Sequence, residues 1–239
     1  MKKIICSIIA AATVMGMSAQ VKPGIEVLRD NGFAQLQGKR VGLITNPTGV
    51  DNNLKSTIDI LHEAPGVTLT ALYSPEHGVR GDVHAGDAVE TYVDPATGVT
   101  VYSIFGKATK PTPEMLKDID VLVYDIQDIG CRSYTFISTM GEAMEACAEN
   151  GKDFVVLDRP NPVGGNKVEG CLVEDGYTSF VSRFPIPYLY GMTPGELAQM
   201  LNEEGMLKDG EKVNLTVIPM EGWTRDMSFA QTGMPWILP

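Results

Sequence analysis

Four short apolar runs in this sequence each give way to a cluster of polar side chains. Thr45-Asn46-Pro47-Thr48-Gly49 follows the first, and Ser74-Pro75-Glu76-His77-Gly78-Val79-Arg80-Gly81 the second. Asp125-Ile126-Gln127-Asp128-Ile129-Gly130-Cys131-Arg132-Ser133-Tyr134 and Asp158-Arg159-Pro160-Asn161-Pro162 follow two more. Carboxylates, amides, an imidazole and guanidinium groups in this proportion suit acid–base chemistry on a polar substrate. Cleavage of a glycosidic bond uses such a set: one carboxylic acid protonates the leaving oxygen, and a second carboxylate activates water or attacks the sugar. Glu76 heads the candidates, because it sits in a turn with no helix for it to cap. Asp125 and Asp128 are the candidate partners. Asn46, His77, Gln127 and Asp158 are candidates for hydrogen bonds to a ligand, and Tyr134 for a stacking surface, as are Tyr73, Tyr190 and Trp223. Arg80, Arg132 and Arg159 are candidate anchors for an anion, since a guanidinium grips a carboxylate with two parallel hydrogen bonds. Plainer roles compete: Asp125 as a helix cap, Asp158 and Arg159 as a mutual clamp, and His77 as an ordinary hydrogen-bonded histidine.

Other chemistries lack their parts. No GxSxG elbow, Walker A lysine motif or GxGxxG after the first strand occurs, so neither that acyl-transfer machinery nor a nucleotide cofactor is indicated. A metal site could use Glu76, His77, His84, Asp87 and Asp128. Their spacing matches no familiar zinc pattern, so no metal or cofactor is expected.

The elements that position these residues alternate. Arg40–Thr45, Val67–Tyr73, Asp120–Tyr124, Phe154–Leu157 and Val213–Ile218 read as buried strands, and Val99–Phe105 as a further or edge strand. Helical spacing joins Leu54, Ile58, Ile60 and Leu61; Pro113 opens a short helix. Phe136–Cys147 is amphipathic and stops near Asn150-Gly151, and Thr193-Pro194-Gly195-Glu196 reads as a capping box. Apolar strands separated by amphipathic helices predict an α/β fold, a Rossmann-like parallel sheet with helices on both faces. In such sheets ligands bind beyond the carboxyl ends of the strands, where the four clusters fall.

The chain has 239 residues and a net charge of −11. Residues 1–20 read as a signal peptide: Lys2 and Lys3, an apolar stretch from Ile4, then Ser18-Ala19. That stretch is short for a membrane span, so an exported protein is expected, periplasmic or extracellular, with no span after cleavage. Without Lys2 and Lys3 the count is 17 basic against 30 acidic residues, a net of −13. Such a surface disfavours nucleic acid and anionic membranes as partners. Cys131, Cys147 and Cys171 remain; Cys147 falls within a helical pattern, and a pair among the three suits an oxidising compartment. Residues 21–220 read as the catalytic Rossmann-like domain. Residues 221–239, ending in Trp236-Ile237-Leu238-Pro239, read as the start of a truncated C-terminal domain. Nothing in the sequence fixes an oligomeric state.

The motifs at Ser74–Gly81, Tyr124–Thr135 and Leu157–Pro162 together resemble the YbbC/NamZ family of exo-β-N-acetylmuramidases, and the likeness runs from about Gly24 to the end. The resemblance implies a Rossmann-like domain followed by a smaller one, with the active site in the cleft between them. It implies an enzyme that releases N-acetylmuramic acid from the non-reducing ends of peptidoglycan fragments. Glu76 matches the family's conserved glutamate, and the role this implies is general acid. The lactyl carboxylate of muramic acid would be the anion that Arg80, Arg132 or Arg159 grips. Cys131 and Ser133 depart from the family's usual small and aromatic residues. A metal-dependent hydrolase or deacetylase acting on cell-wall sugars, and a non-catalytic cell-wall sugar-binding protein, are the competing readings.

Overall fold

The computed structural model describes residues 20–81, 90–106 and 108–238. The expected leader, apart from Gln20, and His84 and Asp87 lie outside them. Six strands run parallel: β1 (Arg40–Thr45), β2 (Thr68–Ser74), β4 (Thr100–Ser103), β5 (Val121–Asp125), β6 (Asp153–Leu157) and β9 (Leu215–Ile218). A two-residue strand, β3 (Tyr92–Val93), pairs antiparallel with β4 and forms the edge, giving the order β3-β4-β2-β1-β5-β6-β9. β7 (Val168–Glu169) and β8 (Leu189–Tyr190) form a separate antiparallel ribbon.

Both faces of the sheet are buried, which is why its strands read as nearly unbroken apolar runs. Side chains alternate between two cores. Leu122, Tyr124, Phe154 and Val156 face α3 (Pro113–Leu116), α4 (Phe136–Glu149) and α5 (Pro194–Glu203). Val121, Val123, Val155 and Leu157 face α1 (Gly24–Asp30) and α2 (Thr57–His62). The α/β class, the parallel sheet and the covering helices are as the sequence predicts.

The differences are local. Leu54 is not on the inner face of α2; it is exposed in the preceding turn with φ 66°. The helix starts two residues after Lys55 because the Ser56 side chain accepts from the backbone N–H of Asp59 at 3.2 Å. The strand near Val99 lies inside the edge, covered by β3. Helix α1 is unheralded except by Pro23, which stands at its N-cap position.

Residues after 220 remain fastened to the beginning of the sheet domain. Lys22 and Glu221 exchange two backbone hydrogen bonds, at 3.0 and 3.1 Å. Val21 N–H donates to the Thr232 carbonyl at 2.9 Å, and the Gln20 amide donates to the Gly233 carbonyl at 2.7 Å. α6 (Phe229–Thr232) lies in this strap. No helix among the described residues is long and apolar enough to cross a membrane.

Helix α5 meets the sheet closely at Gly195, where a Cβ would lie 2.6 Å from Val217 Cγ1 and 2.8 Å from Asp158 Cγ. Gly195→Ala must therefore displace the helix start or the end of β6. We expect a loss of about 1–3 kcal/mol of stability, read as a lower midpoint in urea denaturation with an unchanged slope.

Candidate active site

After β1 the chain goes outward to β2 and β4, then returns to the other side of β1 for β5, β6 and β9. The direction of winding reverses between β1 and β5, and the crevice beyond such a point is where this sheet type binds ligands. Thr45 and Asp125 are level across that point. All four polar clusters of the sequence lie at this carboxyl edge.

Asp125 is fully buried and both of its oxygens are engaged. Arg159 Nε donates to Oδ1 at 2.5 Å and Nη2 to Oδ2 at 2.9 Å, while Thr57 Oγ1 donates to Oδ2 at 2.5 Å. Arg159, 2% exposed, uses Nη2 also on the Val50 carbonyl at 2.8 Å. This bidentate pair is structural. Asp125 is therefore not placed as a catalytic acid or base, nor as a helix cap, and Arg159 commits Nε and Nη2 to the chain itself. The expected Asp158–Arg159 side-chain clamp does not form.

Asp158 instead organises the start of α5. Its carboxylate accepts from the Gly195 N–H at 2.8 Å, the Thr193 hydroxyl at 2.9 Å and the Arg159 N–H at 3.0 Å. Thr193 Oγ1 accepts in turn from Glu196 N–H, and the Glu196 side chain returns to Thr193 N–H, closing the predicted capping box. Burial pushes the Asp158 carboxyl up to about 6 against these stabilising hydrogen bonds.

Asp128 keeps an oxygen uncommitted. Its Oδ2 accepts from the Tyr190 hydroxyl and, at 2.7 Å, from Gly130 N–H, whereas buried Oδ1 has no partner. Burial raises this carboxyl to about 6, and the Tyr190 hydrogen bond opposes the rise. Gln127 beside it donates to the Asp128 carbonyl at 2.7 Å and the Pro160 carbonyl at 2.8 Å, leaving Oε1 unpartnered. Asn46 mirrors it with the opposite polarity: Oδ1 accepts from Thr48 N–H and Oγ1, leaving Nδ2 unpartnered. Thr48, which the sequence reading passed over, links the two, since its Oγ1 also accepts from Gln127 N–H at 2.9 Å. The Asn-Pro-Thr-Gly turn was its only signal.

Glu76 and His77 leave β2 in a tight turn. His77 holds φ 75° and Gly78 φ 81°; a left-handed histidine carries strain of the kind that collects at functional sites. Glu76 is half-buried, and no hydrogen bond or ion pair ties its carboxylate to the other described residues. Arg80 fastens the turn: it donates to Asp94 at 2.7 and 3.0 Å and to Asp59 of α2 at 2.8 Å. Those two carboxylates hold its guanidinium further above its usual range, Asp94 foremost. Arg80 is therefore committed to the chain itself, contrary to a role as an anion anchor.

Arg132 spends Nη1 on the carbonyls of Cys171, at 2.7 Å, and Ile186, and Nε on Ser182 Oγ at 3.3 Å. It still borders an open cavity of ≈ 290 Å³ lined by Leu172, Val173 and Tyr177. Tyr134, 42% exposed, packs edge-on to Phe136 at 6.3 Å. Of the other aromatics, Tyr73 is core, its hydroxyl on the Met115 carbonyl at 2.7 Å. Tyr190 is buried against Asp128, and half-buried Trp223 lines a different cavity. Cys131, Cys147 and Cys171 are free thiols, the first two buried. Among the described residues no group of three His, Cys, Asp or Glu side chains could hold a metal ion.

The sequence profile described as "Exo-beta-N-acetylmuramidase NamZ, N-terminal" matches residues 41–239. The peptidoglycan beta-N-acetylmuramidase NamZ of Bacillus subtilis (strain 168) is 55% identical over 220 residues, which cover 92% of this chain and 52% of that protein. Crystal structures of two DUF1343 family proteins from Bacteroides fragilis NCTC 9343 superpose with TM-scores of 0.86 and 0.77. The first is 68% identical and matches 91% of this chain and 54% of its own; the second is 37% identical and matches 88% and 55%. The chain thus spans about half the length of these relatives.

The division between structural and uncommitted carboxylates has a direct consequence for stability. Asp125→Ala strands the Arg159 charge in the core and is expected to cost about 3–5 kcal/mol in urea denaturation. Glu76→Gln, which breaks no contact among the described residues, is expected to stay within about 0.5 kcal/mol. The buried carboxyl of Asp128 gives a pH signature. Its folded-state value lies above the ordinary 3.8, so between pH 4 and 6 the folded protein holds a proton that the unfolded chain has released. Stability is therefore lost as pH rises through that window, and the loss is complete above it. A carboxamide cannot titrate, so Asp128→Asn should gain on the wild type by on the order of 2–3 kcal/mol between pH 4 and pH 7. Parallel denaturation curves across that range measure it.

Proposed function

Since the chain belongs to the exo-β-N-acetylmuramidase NamZ family, we propose that it acts in an exo-glycosidase that releases N-acetylmuramic acid from the non-reducing ends of peptidoglycan fragments. The observation that carries this reading is an uncommitted carboxylate, Glu76, held in a strained turn on the same sheet edge as three unpartnered polar atoms. Those atoms, Asn46 Nδ2, Gln127 Oε1 and Asp128 Oδ1, supply one donor and two acceptors at the switch point. A sugar with hydroxyl and acetamido groups presents the complementary set. The atoms are closed to solvent, so a ligand reaches them only as the surrounding loops part; catalytic contacts commonly tighten only once substrate is bound.

In this reading Glu76 is the general acid that protonates the glycosidic oxygen as its bond to the anomeric carbon breaks. Asp128 is the second carboxylate; it activates the water that replaces the leaving group or attacks the sugar itself. His77, Asn46 and Gln127 orient the sugar, and Asp158 acts through the start of α5 and not through direct contact. Arg132 borders an open cavity, so it is assigned to the lactyl carboxylate, with exposed Tyr134, two residues on, offering a face to the ring. The leader expected at residues 1–20 supports an exported enzyme at work on the cell wall, in the periplasm or outside the cell.

The test is hydrolysis of a chromogenic N-acetylmuramide and the matching N-acetylglucosaminide by the full-length protein and its Glu76→Gln variant. Release from the muramide alone, reduced about 100-fold or more in the variant, is the expected result. Unimpaired release by the variant would remove Glu76 from its role. No release from either sugar by the wild type would overturn the glycosidase reading in favour of a sugar-binding protein.

A further inference from the structure

Tyr190 comes from the ribbon β7–β8, 62 residues after Asp128 in sequence, yet its hydroxyl ends on Asp128 Oδ2. The ring is 3% exposed and belongs to the core on the α4 side of the sheet. The ribbon is laced to the loop that carries Asp128 at further points. Cys131 bridges Leu189 in antiparallel fashion, Arg132 N–H donates to the Tyr188 carbonyl at 2.8 Å, and the Arg132 guanidinium holds the Ile186 carbonyl. The phenol therefore cannot swing away without unlacing the loop. Burial and the neighbouring Asp128 charge push its own proton affinity well above the ordinary range, so it remains a donor at any working pH.

Gly130 N–H takes the same oxygen at 2.7 Å. Gly130 can do so because it holds φ 81°, and a Cβ there would fall 2.2 Å from Asn161 Oδ1. Two donors on one oxygen fix the plane of a carboxylate and leave the other oxygen alone. Resting on the glycosidase reading above, we propose that Tyr190 is a positioning residue: with Gly130 it holds Oδ2 of Asp128 and presents Oδ1 as the single oxygen that meets the sugar.

The groups that face this carboxyl are Tyr190 from β8, Tyr124 from β5, and the backbone N–H groups of Ile129 and Gly130. The Asp125–Arg159 pair adjoins Tyr124. Of these, only Tyr190 donates a side-chain hydrogen bond to the ionised form. Tyr190→Phe removes that bond and keeps the ring, so the proton affinity of Asp128 rises. Whether Asp128 works with or without its proton, the limb of the pH profile that it sets moves to higher pH.

The experiment compares Tyr190→Phe with the wild type in the full-length protein. It measures kcat/KM for the chromogenic muramide against pH, and the titration of the Asp128 carboxyl by carbon-13 NMR. We expect one limb to move up by about one pH unit, a fall of about 10- to 100-fold in kcat/KM at neutral pH, and an Asp128 midpoint displaced in the same direction. A uniform loss with both limbs in place, or unchanged kinetics, would overturn the proposal. A wild type that leaves the muramide intact would sink the glycosidase reading on its own. The NMR midpoint would then still decide whether Tyr190 governs Asp128, and an unmoved midpoint would deny it.

Discussion

The buried pair of Asp125 and Arg159 is the constraint around which the carboxyl edge of the sheet is built. It joins the last residue of β5 to the second residue after β6, takes in Thr57 at the start of α2, and reaches the Val50 carbonyl in the turn after β1. Burying two charges is costly unless geometry and remaining hydrogen bonds are satisfied. Here the bidentate fork and the threonine hydroxyl meet that condition. A lysine would offer one point of attachment where the guanidinium offers a planar two-point grip. Strands β1, β5 and β6 are therefore locked level with one another at the edge beyond which sheets of this type bind ligands.

With that lock in place, the other carboxylates at the edge divide by what their neighbours leave them. Asp125 is used up by a cation, and Asp158 by the start of a helix. Asp128 has one oxygen occupied and one idle, and half-buried Glu76 makes no hydrogen bond or ion pair with the described residues. Four residues of nearly the same chemistry, each at or just past the end of a strand, thus come to different duties. Electrostatics and hydrogen bonding assign those duties, and residue type alone does not.

This division explains what the sequence could and could not disclose. Period and apolar content reveal strands buried on both faces and helices with one apolar stripe, so the α/β class and the polar edge were legible. The capping box at Thr193 was legible because it is a local contact. Partner choice was not. Arg159 lies next to Asp158 in sequence but pairs with Asp125, 34 residues away, because the strand register sets which groups meet. Arg80 reads as a free anchor until Asp59 and Asp94 are seen on either side of it. Tyr190 could not be tied to Asp128 by any spacing rule. Two-residue strands such as β3 fall below the length at which alternation can register at all.

The strap between Gln20–Lys22 and Glu221–Gly233 bears on how this domain is made. Contacts of such long sequence separation slow folding, since a loop must close before they can form. Helix α1 seats against the ends of β6 and β9, with Gly24 N–H on the Asp158 carbonyl, so it waits for a strand that begins 185 residues after its own end. Until β9 emerges, β6 is an open parallel edge of Phe154, Val155, Val156 and Leu157, a surface prone to pair with another chain. The hydrogen-bonding edge of β6 is thus closed only once β9 has been made, and the nascent chain must be kept from its neighbours until then.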